Sequence, residues 1–348
     1  MNPYVLAILL SSLGLGTTMT FASSHWLLAW MGLEINTLAI TPLMAQHHHP
    51  RAVEATTKYF LTQATAAAMI LFASTTNAWM TGEWDINYLS NPMANTMFMT
   101  ALALKIGLAP MHFWMPEVLQ GLDLTTGLIL STWQKLAPLA LIIQTAQNIN
   151  PLLLTLLGIT STLVGGWGGL NQTQLRKILA YSSIAHMGWM IIIMQYAPQL
   201  TLIALGTYII MTSTAFLTLK MMSSTKINML STAWSKNPIL TATTALALLS
   251  LGGLPPLTGF MPKWLILQEL TKQDMPIIAT TMALAALISL YFYLRLCYAM
   301  TLTISPNTTN SQTSWRTQTT QTSLPLALFT TTTLGLLPMT PAILTLTT

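Results

Sequence analysis

Charged residues are scarce in this sequence. Asp, Glu, Lys and Arg make up 6% of the 348 residues, while 53% are hydrophobic, and ordinary soluble domains carry about 25% charge. So few charges cannot cover the surface of a water-soluble fold. The apolar stretches run on for about 20 residues, the length of a membrane-spanning helix, without the two-residue alternation of barrel strands. The sequence therefore predicts an all-α protein that crosses a membrane many times.

Cysteine and nucleotide-binding motifs are also scarce. Cys297 is the only cysteine, which excludes an internal disulfide, a CxxC metal site and iron–sulfur ligation by this chain alone. No glycine-rich loop follows a strand pattern, so the sequence shows no motif that would bind a nucleotide cofactor. The net charge is +5, but the basic residues are scattered without interleaved aromatics. We expect this chain to bind no cofactor and no nucleic acid.

Three consecutive histidines, His47, His48 and His49, resemble a metal-binding tract. They stand beside Pro50 and Arg51, with no carboxylate or cysteine nearby. Zinc and related metals are usually held by a mixed set of such ligands. We therefore interpret the triplet as a solvated loop and expect no metal site.

The apolar pattern predicts eleven membrane spans within a single membrane domain, residues 1–348. We expect a first repeat over about 1–146, a second over about 150–302, and a final helix over about 324–346. The predicted spans are 2–20, 25–44, 57–79, 95–119, 124–145, 151–170, 175–196, 200–223, 238–270, 276–302 and 324–346.

Two of these spans carry matching interruptions. GLAPMHFWMPE begins at Gly107 and GLPPLTGFMPK begins at Gly253, 146 residues later. Because proline lacks a backbone donor, both helices should be discontinuous, around 107–110 and around 252–256. Paired breaks in two halves of a membrane protein indicate a transport site. The offset covers five crossings, from span four to span nine, so the second copy should be inverted.

The basic residues near span ends predict an orientation. Nine flank the even-numbered loops, whereas the odd-numbered loops hold only Lys272. Under the positive-inside rule, the N-terminus shares the side of the even loops. The nine residues are Arg51, Lys58, Arg176, Lys177, Lys220, Lys226, Lys236, Arg295 and Arg316.

A few ionisable residues fall inside the predicted spans. A charge at a helix centre costs about 2.5–3.5 kcal/mol or more, so three lysines and a glutamate would cost on the order of 10 kcal/mol if left unpaired. Such residues mark ion pathways, and a buried lysine can exchange a proton near neutral pH. The predicted proton relay consists of Glu34, Lys105, Lys135, His186 and Lys263.

Structural roles are the alternatives at several of these positions. Glu34 would then form a static ion pair, Lys263 would lie at a water-filled edge, and His186 would be a neutral histidine bonded between helices. His112 and Glu117 flank the first break and are secondary candidates. Capping or pairing at the break is the alternative for both.

Several stretches resemble the antiporter-like subunits of respiratory complex I and the related Mrp-type antiporters. They are KIGLAPMHFWMPE from Lys105, LPPLTGFMPKW from Leu254, YSSIAHMG from Tyr181, HWLLAWMGLE from His25 and GWGGLNQTQLRK from Gly166. The resemblance covers nearly the whole chain. The long form of the family has fourteen helices, and this chain begins with what resembles the fourth.

The resemblance implies roles for the buried charges. Glu34 and Lys105 match the family's glutamate–lysine pair, Lys135 and Lys263 match the lysines of the first and second half-channels, and His186 matches a polar link between them. Met111 and Glu117 replace the more usual Phe and Asp, which retains hydrophobic bulk and charge.

The function implied is that of a membrane-arm subunit of proton-pumping complex I, an enzyme whose electron transfer takes place in other subunits. NADH, FMN, iron–sulfur clusters and ubiquinone are then expected in partner subunits, and the partners are other membrane subunits, including antiporter-like chains, together with lipids. The high Met and Thr usage resembles that of chains encoded in animal mitochondrial genomes. Together with the resemblance to complex I, it implies the mitochondrial inner membrane, and the loop charges then place the N-terminus in the matrix and the C-terminus in the intermembrane space. An autonomous cation/proton antiporter and a purely structural scaffold are the alternatives.

Overall fold

The structure, a computed structural model, describes residues 2–46, 49–302 and 323–347, and only the backbone at 235, 236, 346 and 347. It consists of helices, and within these ranges β-pairing is limited to the isolated bridges His25–Asp85 and Gln174–Lys226. The chain forms two compact units, Met1–Ser161 and Thr162–Thr348.

The first unit contains seven complete helices and the beginning of an eighth. They are α1 (Pro3–Ala22), α2 (Trp26–Met44), α3 (Pro50–Thr81), α4 (Pro92–Ile106), α5 (Trp114–Gly121), α6 (Leu124–Thr132), α7 (Leu136–Thr145) and α8 (Pro151–Gly169). Short 3₁₀ turns follow α6 at Trp133–Lys135 and α7 at Ala146–Asn148.

The second unit begins within α8, and its described residues form nine further helices. They are α9 (Leu175–Ile193), α10 (Pro198–Met221), α11 (Ile227–Ser231), α12 (Ala233–Lys236), α13 (Pro238–Gly252), α14 (Phe260–Lys272), α15 (Pro276–Thr301), α16 (Leu324–Gly335) and α17 (Thr340–Thr347). A 3₁₀ turn at Leu337–Met339 links the last two.

Proline sets many of the helix starts. α1, α3, α4, α8, α10, α13 and α15 each begin with proline, whose missing N–H costs nothing in the first turn. Side chains just before several of these prolines cap the first turn: Asn2 accepts from the Tyr4 amide at 3.3 Å, and Asn91 accepts from the Met93 amide at 3.1 Å.

Six helices of the described residues are long and apolar enough to cross a membrane, and the bent pair α16–α17 would make a seventh. This finding confirms a helical protein of several spans. The two interruptions lie where the sequence predicts them, since α4 ends at Ile106 and α13 at Gly252.

Three predicted segments differ from the structure. The fifth span is interrupted by a 3₁₀ turn, because Pro138 has no N–H to donate to the carbonyl of Gln134 one turn earlier. The last span bends by 66° between α16 and α17, where Pro338 stands in the linking turn. Between the predicted spans 200–223 and 238–270, the chain forms the short helices α11 and α12.

Close helix packing in the first unit is set by small residues. α1 and α2 cross where Gly16 faces Gly32, and a Cβ on either glycine would lie 2.8 Å from the other's carbonyl oxygen. Such proximity allows dense packing without any apolar driving force from lipid. It also holds α2, which carries Glu34, against α1.

Candidate functional site

The first helix break places Lys105 in the last turn of α4. Gly107 takes a left-handed conformation with φ of +83°, and its amide and that of Leu108 both donate to the Ala103 carbonyl at 2.9 Å. The Trp114 indole donates to the Leu104 carbonyl at 3.0 Å. The C-terminal end of a helix carries partial negative charge, so a cation is favoured there.

Lys105 itself is buried. It is 5% exposed, and its Nζ has no hydrogen-bond partner among the described residues. The Gln63 side chain donates to the Lys105 backbone carbonyl at 3.4 Å, which leaves the amine as the unsatisfied group. A buried amine without a partner is costly, and in native proteins such groups commonly have a functional reason.

Lys135 lies in the 3₁₀ turn between α6 and α7 and is 2% exposed. The turn is held from both sides within the first unit. The Trp133 indole donates to the Leu13 carbonyl at 3.4 Å, and the Gln134 amide donates to the Asn36 carbonyl at 3.3 Å. Local departure from α-helix therefore fixes the position of this lysine.

The structure brings Lys105 and Lys135 to one small cavity. The space in this cavity that is open to water measures about 10 Å³, which is enough for about one water molecule. Three amide side chains share the lining, namely Asn36, Gln63 and Gln134. Proton transfer between two groups can proceed through a single water, so the arrangement is suited to exchange between the two amines.

Glu34 lies on α2, one residue beyond Leu33 of the cavity wall. Its Oε2 is buried and has no hydrogen-bond partner in the described part of the chain. Among the described residues, the Glu34 Oε2 and the Lys105 Nζ are therefore both buried without a hydrogen bond.

The second break, in the second unit, positions Lys263 differently. α13 ends at Gly252, Gly253 has φ of +81°, and the Lys263 Nζ donates to the Gly252 carbonyl at 2.7 Å. Lys263 is 9% exposed and is the fourth residue of α14. Its ammonium thus caps the C-terminus of the preceding half-helix, again at the negative end of a helix dipole.

His186 lies on α9 in the second unit. Its ring is 5.6 Å from that of Tyr208, centroid to centroid, at an interplanar angle of 45°. Tyr208 and Tyr293 are 0% and 1% exposed. The histidine ring therefore packs against one fully buried tyrosine ring.

The two secondary candidates lie outside the cavity. His112 is 5% exposed, its Nδ1 lies 3.3 Å from the Pro110 carbonyl, and its ring packs on Phe113. Glu117 is exposed and pairs with Lys58 at 2.8 Å. Lys58 also forms an ion pair with Glu54, which precedes the predicted third span. The hydrogen bond from Lys58 holds the pKa of the Glu54 carboxyl below its ordinary value.

Sequence reasoning missed several polar residues of these sites. Asn36, Gln63 and Gln134 line the first cavity, and Tyr208 and Tyr293 lie near His186 and Gly252. The three amides carry a readable signal, because an amide side chain inside an apolar span needs a buried partner. The tyrosines carry none, since aromatic residues are common in any apolar core.

The histidine triplet lies mostly outside the described residues. His47 and His48 fall there, while the His49 Nδ1 accepts a hydrogen bond from the Arg51 amide at 3.2 Å and so caps α3. Across the described ranges, no group of three or more His, Cys, Asp or Glu side chains is placed to hold a metal ion.

Comparison with known proteins gives a consistent result. Residues 23–289 match the family described as NADH:quinone oxidoreductase/Mrp antiporter, and residues 290–344 match the NADH dehydrogenase subunit 2 C-terminus. The chain is 91% identical to NADH-ubiquinone oxidoreductase chain 2 of Carassius auratus and 88% identical to that of Cyprinus carpio, over 100% of each chain.

A solved structure extends the similarity to distant relatives. A chain of respiratory complex I from Thermus thermophilus with bound aureothin is 28% identical, with a TM-score of 0.82. The match covers 97% of this chain and 80% of that one.

Proposed function

The chain belongs to the NADH:quinone oxidoreductase/Mrp antiporter family, and from this premise we propose that it carries a proton pathway as the chain 2 subunit of NADH:ubiquinone oxidoreductase. The observation that carries the proposal is the burial of three lysines at interruptions of membrane helices: Lys105, Lys135 and Lys263. Irregular backbone and charge are tolerated at membrane depth only where protein or water receives them.

In the first unit, the proton moves between Lys105 and Lys135 through the cavity they share. The Lys105 ammonium gives a proton to a water in the cavity, which gives a proton to the neutral Lys135 amine. We assign to Glu34 the control of this exchange, because a carboxylate beside a buried amine stabilises the charged form of that amine. Any change that moves or neutralises Glu34 releases the proton from Lys105.

In the second unit, Lys263 and His186 form the corresponding exchange groups. The Gly252 carbonyl accepts from the charged form of Lys263 at 2.7 Å and holds it at the helix break. The energy for the whole cycle is supplied by electron transfer in partner subunits, where NADH, FMN, iron–sulfur clusters and ubiquinone act. Neighbouring membrane subunits, including antiporter-like chains, transmit that energy to Glu34, and lipids surround the assembly.

We also propose the finer membrane arrangement. The chain makes eleven crossings of the mitochondrial inner membrane as two inverted five-helix repeats and a final helix. Its N-terminus lies in the matrix and its C-terminus in the intermembrane space. The support is the excess of basic residues near even-numbered loops and the paired left-handed glycines, with φ of +83° and +81°.

The test compares Lys105→Met and Lys263→Met with Lys272→Met. Lys272 is a suitable control because its side chain is 60% exposed and pairs with Glu269 at 3.4 Å. In isolated inner membranes we expect both buried-lysine variants to assemble but to lose NADH-driven proton transport about 10²-fold or more, the usual loss for a missing proton-transfer group. The control should behave as the parent chain.

The proposal is contradicted if proton transport falls only in proportion to the amount of assembled complex. If the amount of assembled complex falls and proton transport per assembled complex is unchanged, the lysines only hold helices together. Native gels quantify the assembled complex, and a pH-sensitive dye reports the proton movement. Proton exchange by the purified chain alone, without NADH, would instead indicate an autonomous antiporter.

A further inference from the structure

The charges of the second unit are distributed unevenly between its two ends. Its sequence, residues 162–348, contains two acidic residues, Glu269 and Asp274, and both lie near the end of α14. The Tyr196 hydroxyl, beyond the C-terminus of α9, lies 3.4 Å from the Met275 sulfur, so α9 ends on this acidic side. α9 has 19 residues and is therefore about 28 Å long. The beginning of α9 is thus at an end where this unit has no carboxylate.

That opposite end is basic. Arg176 and Lys177 are the second and third residues of α9, Lys226 directly precedes α11, and Lys220 is in the last turn of α10. Lys220 and Lys226 are exposed, and Arg176 and Lys177 are half-buried. Lys220 is favoured by the negative end of its own helix. Arg176 and Lys177 stand at the positive end of theirs, in a first turn without an acidic residue, so the helix itself does not stabilise them.

A short backbone pairing brings Lys226 to the beginning of α9. Gln174 and Lys226 form an antiparallel bridge, and the Leu175 amide donates to the Thr225 carbonyl at 3.1 Å. The Cα atoms of residues paired in this way are about 4.5–5.5 Å apart. Lys226 is therefore held opposite a residue only two positions before Arg176, and the basic side chains of the two segments are neighbours.

Arg295 holds the chain that leads into α9. Its guanidinium donates to the carbonyls of Leu170 and Gln172. Because these two acceptors are neutral, they orient the guanidinium without cancelling its charge. The cations at this end are thus presented by a backbone that is fixed on both sides, and a surface fixed in advance loses less conformational entropy when it binds a ligand.

The segment after Lys226 has the character of an element that lies at a membrane surface. In the short helices α11 and α12, Leu230 is fully buried, whereas Met229 and Trp234 are 40% and 43% exposed. The Thr225 hydroxyl donates to the Met229 sulfur at 3.5 Å, which keeps this apolar side chain close to Lys226. Tryptophan is enriched at the level of lipid headgroups, and exposed apolar residues beside lysines are typical of interfacial helices.

We propose that Arg176, Lys177 and Lys226 bind the phosphate of an anionic phospholipid, whose acyl chains lie beside Met229 and Trp234. The guanidinium can direct two parallel hydrogen bonds to phosphate oxygens, and the lysines add compact positive charges. The inference requires only that the chain is a membrane subunit, and it goes beyond the proton pathway. The bound lipid would stabilise the positive end of α9 and the pairing at Lys226.

Charge and exposure select this occupant over two others. A zwitterionic headgroup carries a cation close to its phosphate, which the basic residues would repel because no carboxylate of this unit is there to accept it. An acidic segment of a partner protein would match the lysines but would leave Met229 and Trp234 without an apolar contact. A lipid with a net negative headgroup satisfies both the cations and the exposed apolar side chains.

The test measures lipid contact directly in the assembled complex. The complex is purified in mild detergent and placed in phosphatidylcholine vesicles that contain a small amount of phosphatidylglycerol with a photoactivatable acyl chain. After illumination, the label is quantified on residues 221–236, which trypsin releases between Lys220 and Lys236. We expect saturable labelling by this probe, and at most weak labelling by a phosphatidylcholine probe with the same acyl chain.

Two double variants separate charge from structure. Lys177→Gln with Lys226→Gln should require roughly 25-fold more probe for half-maximal labelling, about fivefold for each lysine near a membrane surface. Lys177→Arg with Lys226→Arg keeps both charges and should label as the parent chain does. Lys272→Gln is the matched control, since Lys272 is 60% exposed and lies at the acidic end beside Glu269. Native gels check that every variant is assembled.

The possible results decide between the occupants. Equal labelling by the two probes, unchanged in the glutamine double variant, would mean that the surface only faces bulk lipid, and the inference would be wrong. Cross-linking of residues 221–236 to another protein chain in place of lipid would also overturn it. Proton transport is not the quantity measured, so a failure of the proposed proton pathway would leave this result unchanged.

Discussion

Alanine at the two left-handed glycines should separate backbone strain from loss of the Lys263 contact. Gly107 and Gly253 have nearly the same φ, +83° and +81°, and each follows the last residue of a broken helix. Their surroundings differ. A Cβ on Gly107 would meet the Trp114 ring at an ordinary 3.4 Å, whereas one on Gly253 would lie 2.9 Å from both Cδ and Nζ of Lys263.

The structure gives a magnitude for each change. Gly107→Ala places alanine in the left-handed region at a cost of about 1–2 kcal/mol. Gly253→Ala has the same backbone cost and must also push the Lys263 side chain away from the Gly252 carbonyl. A hydrogen bond to a charged group contributes about 1.5–3 kcal/mol, so the total is roughly 2.5–5 kcal/mol.

The assay measures both consequences in isolated inner membranes. Thermal inactivation of the assembled complex reports stability, and NADH-driven proton transport per assembled complex reports the pathway. We expect Gly107→Ala to inactivate at a modestly lower temperature with transport retained. Gly253→Ala should inactivate earlier and also lose transport at temperatures where the complex is intact. Equal transport in the two variants would refute the assignment of Lys263 to the pathway.

Two further predictions concern side chains that shape the backbone, namely Arg295 and Pro138. Arg295→Lys should lower the inactivation temperature, since lysine cannot reproduce the two donors that arginine directs to the carbonyls of Leu170 and Gln172, contacts worth about 1.5–3 kcal/mol each; an unchanged temperature would contradict this. Pro138→Ala should let α6 and α7 join as one regular helix, removing a distortion that costs about 3 kcal/mol. We expect normal assembly with reduced proton transport, because Lys135 leaves its 3₁₀ turn, and normal transport would contradict the role of that turn.

Much of the fold follows from local chemistry. Low charge and long apolar runs identify the membrane class, and glycine followed by proline fixes the ends of α4 and α13. The turn at Lys135 was also readable, because Pro138 stands three residues further on and removes a backbone donor. These features depend on neighbours in the sequence, so no tertiary information is needed.

The repeated motif shows where local chemistry stops. Glu117 and Lys263 are the fourth residues of α5 and α14, at equivalent positions 146 residues apart. Glu117 is exposed and pairs with Lys58, whereas Lys263 is buried against the end of α13. The two stretches alone do not fix these contacts, because each contact depends on which helices pack beside the motif.

The sequence by itself indicated that this protein crosses a membrane, located the breaks after α4 and α13, and selected the ionisable residues expected at membrane depth. Only the tertiary structure decided which of them meet. Lys105 and Lys135 share a cavity with Asn36, and the His186 ring packs against that of Tyr208 from another helix. The physical reason is that apolar spans carry no strong amphipathic pattern, so the rotation of each helix is set by close packing and by buried polar partners.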